Sequence, residues 1–227
     1  QMGRLIEDLG HQMVAPVPSL FTFHIQDPRL EGLMGLSAEV SLRVLDPQGH
    51  PTKPLVHTAG PLLITHWGVS GPAVLKASAW GARVMADWRY NFSIEVNWLP
   101  QHNLDSAALV LAEFAGQEAK KSMSNHPFGT LPKRLWERMI IAAGCGGDQT
   151  WAHLTKEQRM ALAAELTQAR YQVTGKSTFK EEFVTAGGVD LGEVRFKDLS
   201  SKRVPQLFFA GECLDVDAVT GGYDFQN

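Results

Sequence analysis

The sequence predicts an α+β fold, a β domain interrupted by a block of three helices. Three observations carry this: apolar residues alternate with polar ones before residue 100, the period changes to 3.6 from Leu104 to about residue 170, and strand-like runs resume afterwards. Leu5, Ile6, Leu9 and Met13 recur at helical spacing and end near Gly10 and His11, so the chain opens on the end of a helix. Phe21, Phe23 and Ile25, then Ala38, Val40, Leu42 and Val44, mark two half-buried strands. Asp46-Pro47-Gln48-Gly49 closes the second with a type I turn, and Pro54 to Thr65 is its hairpin partner. A short helix runs from Pro72 through Trp80, with Ser70 or Gly71 as its cap. Phe92, Ile94, Val96 and Trp98 form the cleanest period-two run.

Leu104, Ala108, Leu111 and Ala115 share one helical face, as do Leu131, Leu135, Met139 and Ile140. Thr155 and Gln158 form a capping box that opens a third helix through Arg170. Tyr171 to Val173 and Phe183 to Val189 read as strands again, so residues 101–170 are an insertion in a sheet built from both flanks. Gln206-Leu207-Phe208-Phe209-Ala210 is a short apolar run suited to a doubly covered strand.

Composition narrows the function. With 44% hydrophobic and 20% charged residues, the chain is globular and not disordered. A net charge of -3, from 21 Lys and Arg against 24 Asp and Glu, supplies no strong field for a nucleic-acid backbone or an anionic membrane. Nucleic acid and membrane are therefore disfavoured partners. No apolar run approaches the roughly 20 residues of a membrane span, and QMGRLIEDLGHQ lacks a signal-peptide core, so a soluble, cytoplasmic protein is expected. Cys145 and Cys213 suit a reducing compartment and read as packing residues. Eight scattered histidines show no ligand spacing, and no metal site is indicated.

Two segments carry chemistry. At the end of the 206–210 run, Gly211-Glu212 can present a carboxylate to sugar-type hydroxyls, and Asp215 in the following acidic loop can do the same. Thr220-Gly221-Gly222-Tyr223 lets backbone N–H groups approach a ring or phosphate without a Cβ. An ordinary strand, loop and helix connection has the same composition. In Thr65-His66-Trp67-Gly68-Val69-Ser70-Gly71, His66 is the candidate catalytic residue as a proton donor or relay. Trp67 can wall an aromatic ligand and Ser70 can hold an anionic group. A structural helix start is the competing reading. The Gly68-x-Ser70 step imitates a nucleophile elbow, but Pro72 stands where that motif needs its second glycine.

The stretch from Val184 to Asn227, together with PSL at 18–20 and LLITHWGVSGPAVLKAS at 62–78, resembles the NAD(P)/FAD-dependent oxidoreductase flavoproteins of the YhiN/BaiN type. The resemblance spans nearly the whole chain. It implies a split Rossmann-like FAD domain, a β-barrel-like substrate domain and a small helical domain inserted in the barrel. On that pattern, residues 1–13 are a remnant of the FAD domain, 14–100 and 171–190 the barrel-like domain, 101–170 the helical insertion, and 191–227 the return to the FAD domain. The resemblance places Gly211, Glu212, Thr220, Gly221, Gly222 and Tyr223 against the flavin. Ala218 and Asp224 depart from its usual Gly and Asn.

No G-x-G-x-x-G turn stands in the chain; Gly144-Cys145-Gly146-Gly147 follows a helix and reads as a helix stop. The expectation is thus a piece of an FAD-dependent oxidoreductase. It would be inactive alone, would not retain FAD, and would pair with the missing N-terminal FAD-binding region of the same polypeptide. The whole would take a small-molecule substrate, with NAD(P)H as reductant. Two other readings stand beside it. One is a non-catalytic module whose helices dock a protein or RNA; the other is a flavin-dependent RNA-modifying enzyme.

Overall fold

The computed structural model describes residues 2–177 and 184–216. Its elements are α1 (Met2–Asp8), β1 (Met13–Ser19), β2 (Phe23–His24), β3 (Ser37–Leu45), β4 (His57–Ile64), β5 (Gly68–Ser70), α2 (Pro72–Trp80), α3 (Ala82–Asp87) and β6 (Phe92–Asn97). There follow α4 (Leu104–Gln117), α5 (Lys133–Ala142), α6 (Lys156–Thr167), β7 (Ala169–Val173), β8 (Gly175–Lys176), β9 (Val184–Val189), β10 (Val194–Arg195) and β11 (Ser200–Ser201).

Alternation decides which face of the main sheet is dry. Val40, Leu42 and Val44 of β3 and Phe92, Ile94 and Val96 of β6 are buried, with Ala73, Val74 and Ala77 of α2 in the same core. The seven-stranded antiparallel ladder runs β7-β6-β3-β4-β5-β2-β8. Its two end members are consecutive in sequence around Thr174, whose N–H donates to the His24 carbonyl at 3.0 Å. One stretch of chain therefore serves both ends, and the ladder is barrel-like.

α4, α5 and α6 lie in sequence between β6 and β7, which pair with each other directly. Asn103 and Ser106 cap α4 reciprocally, and Thr155 with Gln158 does the same for α6. The Gly144 and Cys145 N–H groups close α5 onto the carbonyls of Ile141 and Ile140, a Schellman stop. Leu111, Leu135, Trp136, Met139, Leu162 and Leu166 are buried in the same core as the sheet. Near the solvent end of α4, a Cβ added at Gly116 meets nothing within 4 Å. Gly116→Ala should therefore stabilise the protein by about 0.5 to 1 kcal/mol, read as a raised urea midpoint.

A second, smaller core gathers Ile6, Val189, Val194, Phe209 and Leu214. It sits under the β1–β9 ribbon and the β10–β11 hairpin. A buried polar bracket seals it. The Glu193 carboxylate accepts from the Gln12 N–H at 2.8 Å and from Arg203 Nε at 2.7 Å, while His11 Nε2 lies 2.7 Å from Ser201 Oγ.

Several expectations change. Met13 starts β1 and does not extend the helix, which ends at Asp8. β1 itself carries Pro16 and Pro18, which mask a strand pattern. Phe21, Phe23 and Ile25 are all buried, yet only Phe23 and His24 ladder, because Leu20 has φ 53 and the Phe21 N–H turns to Ser78 Oγ. Ser70 lies in β5, and Gly71 occupies the α2 cap position with no side-chain bond. The third helix stops at Thr167; Ala169 and Arg170 already belong to β7. Residues 206–210 form no strand: Phe208 makes one isolated bridge to Ser200 and is 62% exposed. The Leu207 carbonyl accepts from the Ser201 N–H at 2.8 Å and the Phe209 N–H donates to the Leu199 carbonyl at 2.9 Å, a pairing with residues 199–201 too short to make a strand. The expected strand position Phe183 lies outside the described residues.

Candidate functional site

Two places draw the candidate residues together. The first is a cleft of about 390 Å³ between a turn-rich segment, residues 26–35, and the tip of the β4–β5 hairpin. At the tip the Thr65 N–H donates to the Gly68 carbonyl at 2.8 Å, which leaves His66 and Trp67 as the two residues presented outward. His66 lines the cleft together with Thr65, Gly68, Ile25, Leu30 and Met34. Trp67 is 57% exposed and its ring lies 6.4 Å from that of His24. Ser70 is not among the cleft residues; its hydroxyl accepts from Thr22 Oγ1 at 3.1 Å.

Gly68 fixes the hairpin against β2. An added Cβ would stand 2.2 Å from the Phe23 carbonyl oxygen and 2.5 Å from the Ile25 nitrogen, so only glycine allows this approach. Next to it, His24 Nε2 is buried without a hydrogen-bond partner among the described residues. Burial first, and then Lys176, lower the His24 pKa and favour a neutral ring.

The opposite wall is pinned from outside. Arg29 donates Nε and a terminal N–H to the two oxygens of Asp27, at 2.9 and 2.8 Å, and another N–H to Glu165 of α6 at 2.8 Å. Its guanidinium also donates to the Arg170 carbonyl and lies 4.3 Å from the Tyr171 ring centroid. Arg134 and Arg138 of α5 donate to the carbonyls of Gly32 and Glu31. Burial opposes the Asp27 charge, but hydrogen bonds and charge from Arg29 outweigh it and hold the carboxyl below its usual range. Asp27, Arg29 and Glu31 went unread in the sequence; the Gln26-Asp27-Pro28 turn signature is the signal that marks them.

The second place is the turn Gly211–Cys213, with Glu212 at its centre. It is pressed onto β9 by backbone alone. Val189 and Leu214 form a parallel bridge, and the Asp215 N–H donates to the Val189 carbonyl at 3.1 Å. A Cβ on Gly188 would lie 2.5 Å from the Cys213 oxygen. Asp215 Oδ1 accepts from Arg83 of α3 at 2.7 Å, so that carboxylate already has a cation. Cys213 directs its sulfur to the Ala210 carbonyl, and Cys145 is buried, with burial pushing its thiol up. Thr220, Gly221, Gly222 and Tyr223 lie outside the described residues. Among the described residues no cluster of three or more metal-ligand side chains occurs, and no helix is long and apolar enough to cross a membrane.

Residues 17–184, well over half of the chain, match the family described as HI0933-like protein barrel and H2TH domain. The chain belongs to the HI0933-like family. The matched span includes the seven-stranded ladder and both walls of the cleft. Among other proteins, this HI0933-like chain is 30% identical over 223 residues to the ribosomal RNA dihydrouridine synthase of Escherichia coli K12, covering 98% of the chain and 52% of that protein. It is likewise 30% identical over 230 residues to the Haemophilus influenzae ribosomal RNA dihydrouridine synthase, covering 98% and 51%. Identity to the 3-dehydro-bile acid delta(4,6)-reductase of Clostridium scindens is 23% over 222 residues, covering 98% and 53%. The chain thus spans about half the length of the curated relatives it matches.

Proposed function

We propose that this chain forms the substrate-binding half of an FAD-dependent reductase acting on a carbon–carbon double bond conjugated to a carbonyl. The names of the relatives support the reaction class. Making dihydrouridine from uridine and removing a delta-4,6 unsaturation from a 3-dehydro steroid are both reductions of that kind. The observation that carries the reading on this chain is the cleft edged by His66; the Gly211–Cys213 turn locked to β9 is a second, separate place that supports it.

The described residues fit a flavin on one side only. The turn is a fixed stretch of backbone with Gly211 at φ 73, suited to close approach, and Glu212 would face the ribityl hydroxyls. Gly221, Gly222, Thr220 and Tyr223 would complete that wall, and residues beyond this chain would hold the adenosine half. Asp215, already paired with Arg83, is the weakest of the proposed cofactor residues. When bound, FAD supplies the hydride, and NAD(P)H restores it.

This chain's part is to place the substrate and the proton. Ile25, Leu30 and Met34 exclude water from one side of the cleft, and His66 donates a proton from its imidazole to the substrate. His66→Ala should lower kcat by about 10²-fold in the FAD-loaded polypeptide while leaving flavin affinity intact. A kcat within a factor of about two of the parent removes His66 from the reaction. A polypeptide spanning the relatives' length that neither shows a flavin absorption band nor takes up added FAD overturns the cofactor assignment.

A further inference from the structure

The segment between β2 and β3, residues 25–36, supplies most of the cleft's lining and has no helix or strand of its own. It is tied to the ladder at its two ends. The Ile25 N–H donates to the Trp67 carbonyl and the Gly35 N–H to the Ile64 carbonyl, both at 2.9 Å. Between them, among the described residues, 26–34 make no backbone hydrogen bond to a strand; their own bonds are local, Leu30 to Asp27 and Leu33 to Leu30. Leu30 and Leu33 are buried in the main core, but the turn at Glu31 and Gly32 is exposed and gains nothing from that burial.

What holds that turn comes from the helical block. Arg134 and Arg138 stand one turn apart on α5 and reach the same side, donating to the carbonyls of Gly32 and Glu31, the second at 3.0 Å. Glu137 pairs with Lys133, and neither arginine has a carboxylate partner among the described residues, so these carbonyls are what their donors serve. The other face of α5 is immobile, with Leu135, Trp136, Met139 and Ile140 buried in the core. Glu165 of α6 adds a third hold through Arg29 at 2.8 Å. Packed helices thus present charge-assisted donors and an acceptor at fixed points to a segment that lacks regular structure.

We infer that the helical insertion sets the width of the cleft, with Arg134 and Arg138 as positioning residues that limit how bulky a ring enters beside His66. Neither arginine lines the cleft, so both act through the turn they hold. Without their donors the two carbonyls turn to water, and the turn is free to move outward because Leu30 and Leu33 are packed in the core beneath it. The size limit rests on the reductase reading; the hold on the wall does not.

The test pairs Arg134→Met with Arg138→Met, which keeps the apolar stems and removes the donors, and separately Arg134→Lys with Arg138→Lys, which restores one donor at each position. In the intact protein, amide exchange at Leu30 and Leu33 should quicken about tenfold in the methionine variant, with the ladder and α5 as protected as before. Melting should move by no more than about 2 °C. In the FAD-loaded polypeptide, kcat/KM for a phenyl-substituted cyclohexenone relative to cyclohexenone itself should rise about fivefold, and the lysine variant should reverse most of both effects. General destabilisation slows both probes alike and leaves that ratio unmoved. Unchanged exchange in the methionine variant, or a lysine variant as loose as the methionine one, overturns the hold on the wall. A loosened wall with the parental ratio overturns the size limit. If the parent reduces neither enone, the reductase reading and the size limit fall together, while the exchange result decides the hold on the wall by itself.

Discussion

Replacing Gly188 by alanine should detach the Gly211–Cys213 turn from β9. At φ 151, the new Cβ would meet three backbone atoms, the Cys213 oxygen at 2.5 Å, the Leu214 carbonyl carbon at 2.6 Å and its oxygen at 2.7 Å. Backbone cannot swing aside as a side-chain tip can, so either β9 bends or the turn lifts. Backbone strain and overpacking together cost about 2 to 5 kcal/mol. Lifting the turn also uncovers Leu214 and Phe209, two members of the small second core. Amide hydrogen exchange should show lost protection at residues 213–215 with the seven-stranded ladder unchanged, and the FAD-loaded polypeptide should lose flavin. Gly147→Ala, where an added Cβ has open space, is the matched control. Unchanged protection at Asp215 would show that the turn does not depend on this approach.

Arg29→Met should loosen the whole wall of the cleft. The substitution keeps much of the stem over Tyr171 but strands Asp27 and Glu165 beside each other without their shared cation. Removing one partner of a buried pair costs about 3 to 5 kcal/mol, and the 19% exposure of the Arg29 side chain brings the expected loss down to about 2 to 3. Acid reveals the same network. Asp27 has a folded-state pKa below its unfolded value, so its contribution is present above the ordinary carboxylate range and is lost as pH falls through the depressed value. The window therefore lies below about pH 4. Urea midpoints measured down through that window should fall less steeply in Asp27→Asn than in the parent. Equal slopes would mean that Arg29 does not hold the carboxylate in solution as it does in the structure.

Legibility followed the length of each periodic run. β3, β6 and the three long helices were readable because six or more residues repeat one pattern, and the Thr155 end obeys local capping chemistry. β5 was not readable, since three residues carry no period and Ser-Gly-Pro imitates a helix cap. β1 hid behind its prolines. The stretch 206–210 misled in the other direction: apolar composition describes what a strand will bury, while the ladder that completes it comes from elsewhere in sequence.

The candidate site was legible in part for the same reason. His66 and Glu212 stand in recognisable local motifs, whereas the opposing wall depends on Arg29 reaching Glu165 and on Arg138 reaching Glu31, contacts over more than a hundred residues. Such pairs leave no short-range signature.

Connectivity and packing pull in opposite directions at the helices. Val96 faces Ala169 across adjacent strands, so a tight turn would join β6 to β7 without moving either. As a matter of tracing, the segment from α4 to α6 is a detour that could be excised. Its removal would nevertheless strip cover from Trp98 and Leu99 and sever the bond from the Trp98 N–H to the Leu166 carbonyl. Any shortened descendant would have to repaint that side of the barrel with polar residues first, whereas the outward positions Leu109 and Ile141 are free to vary.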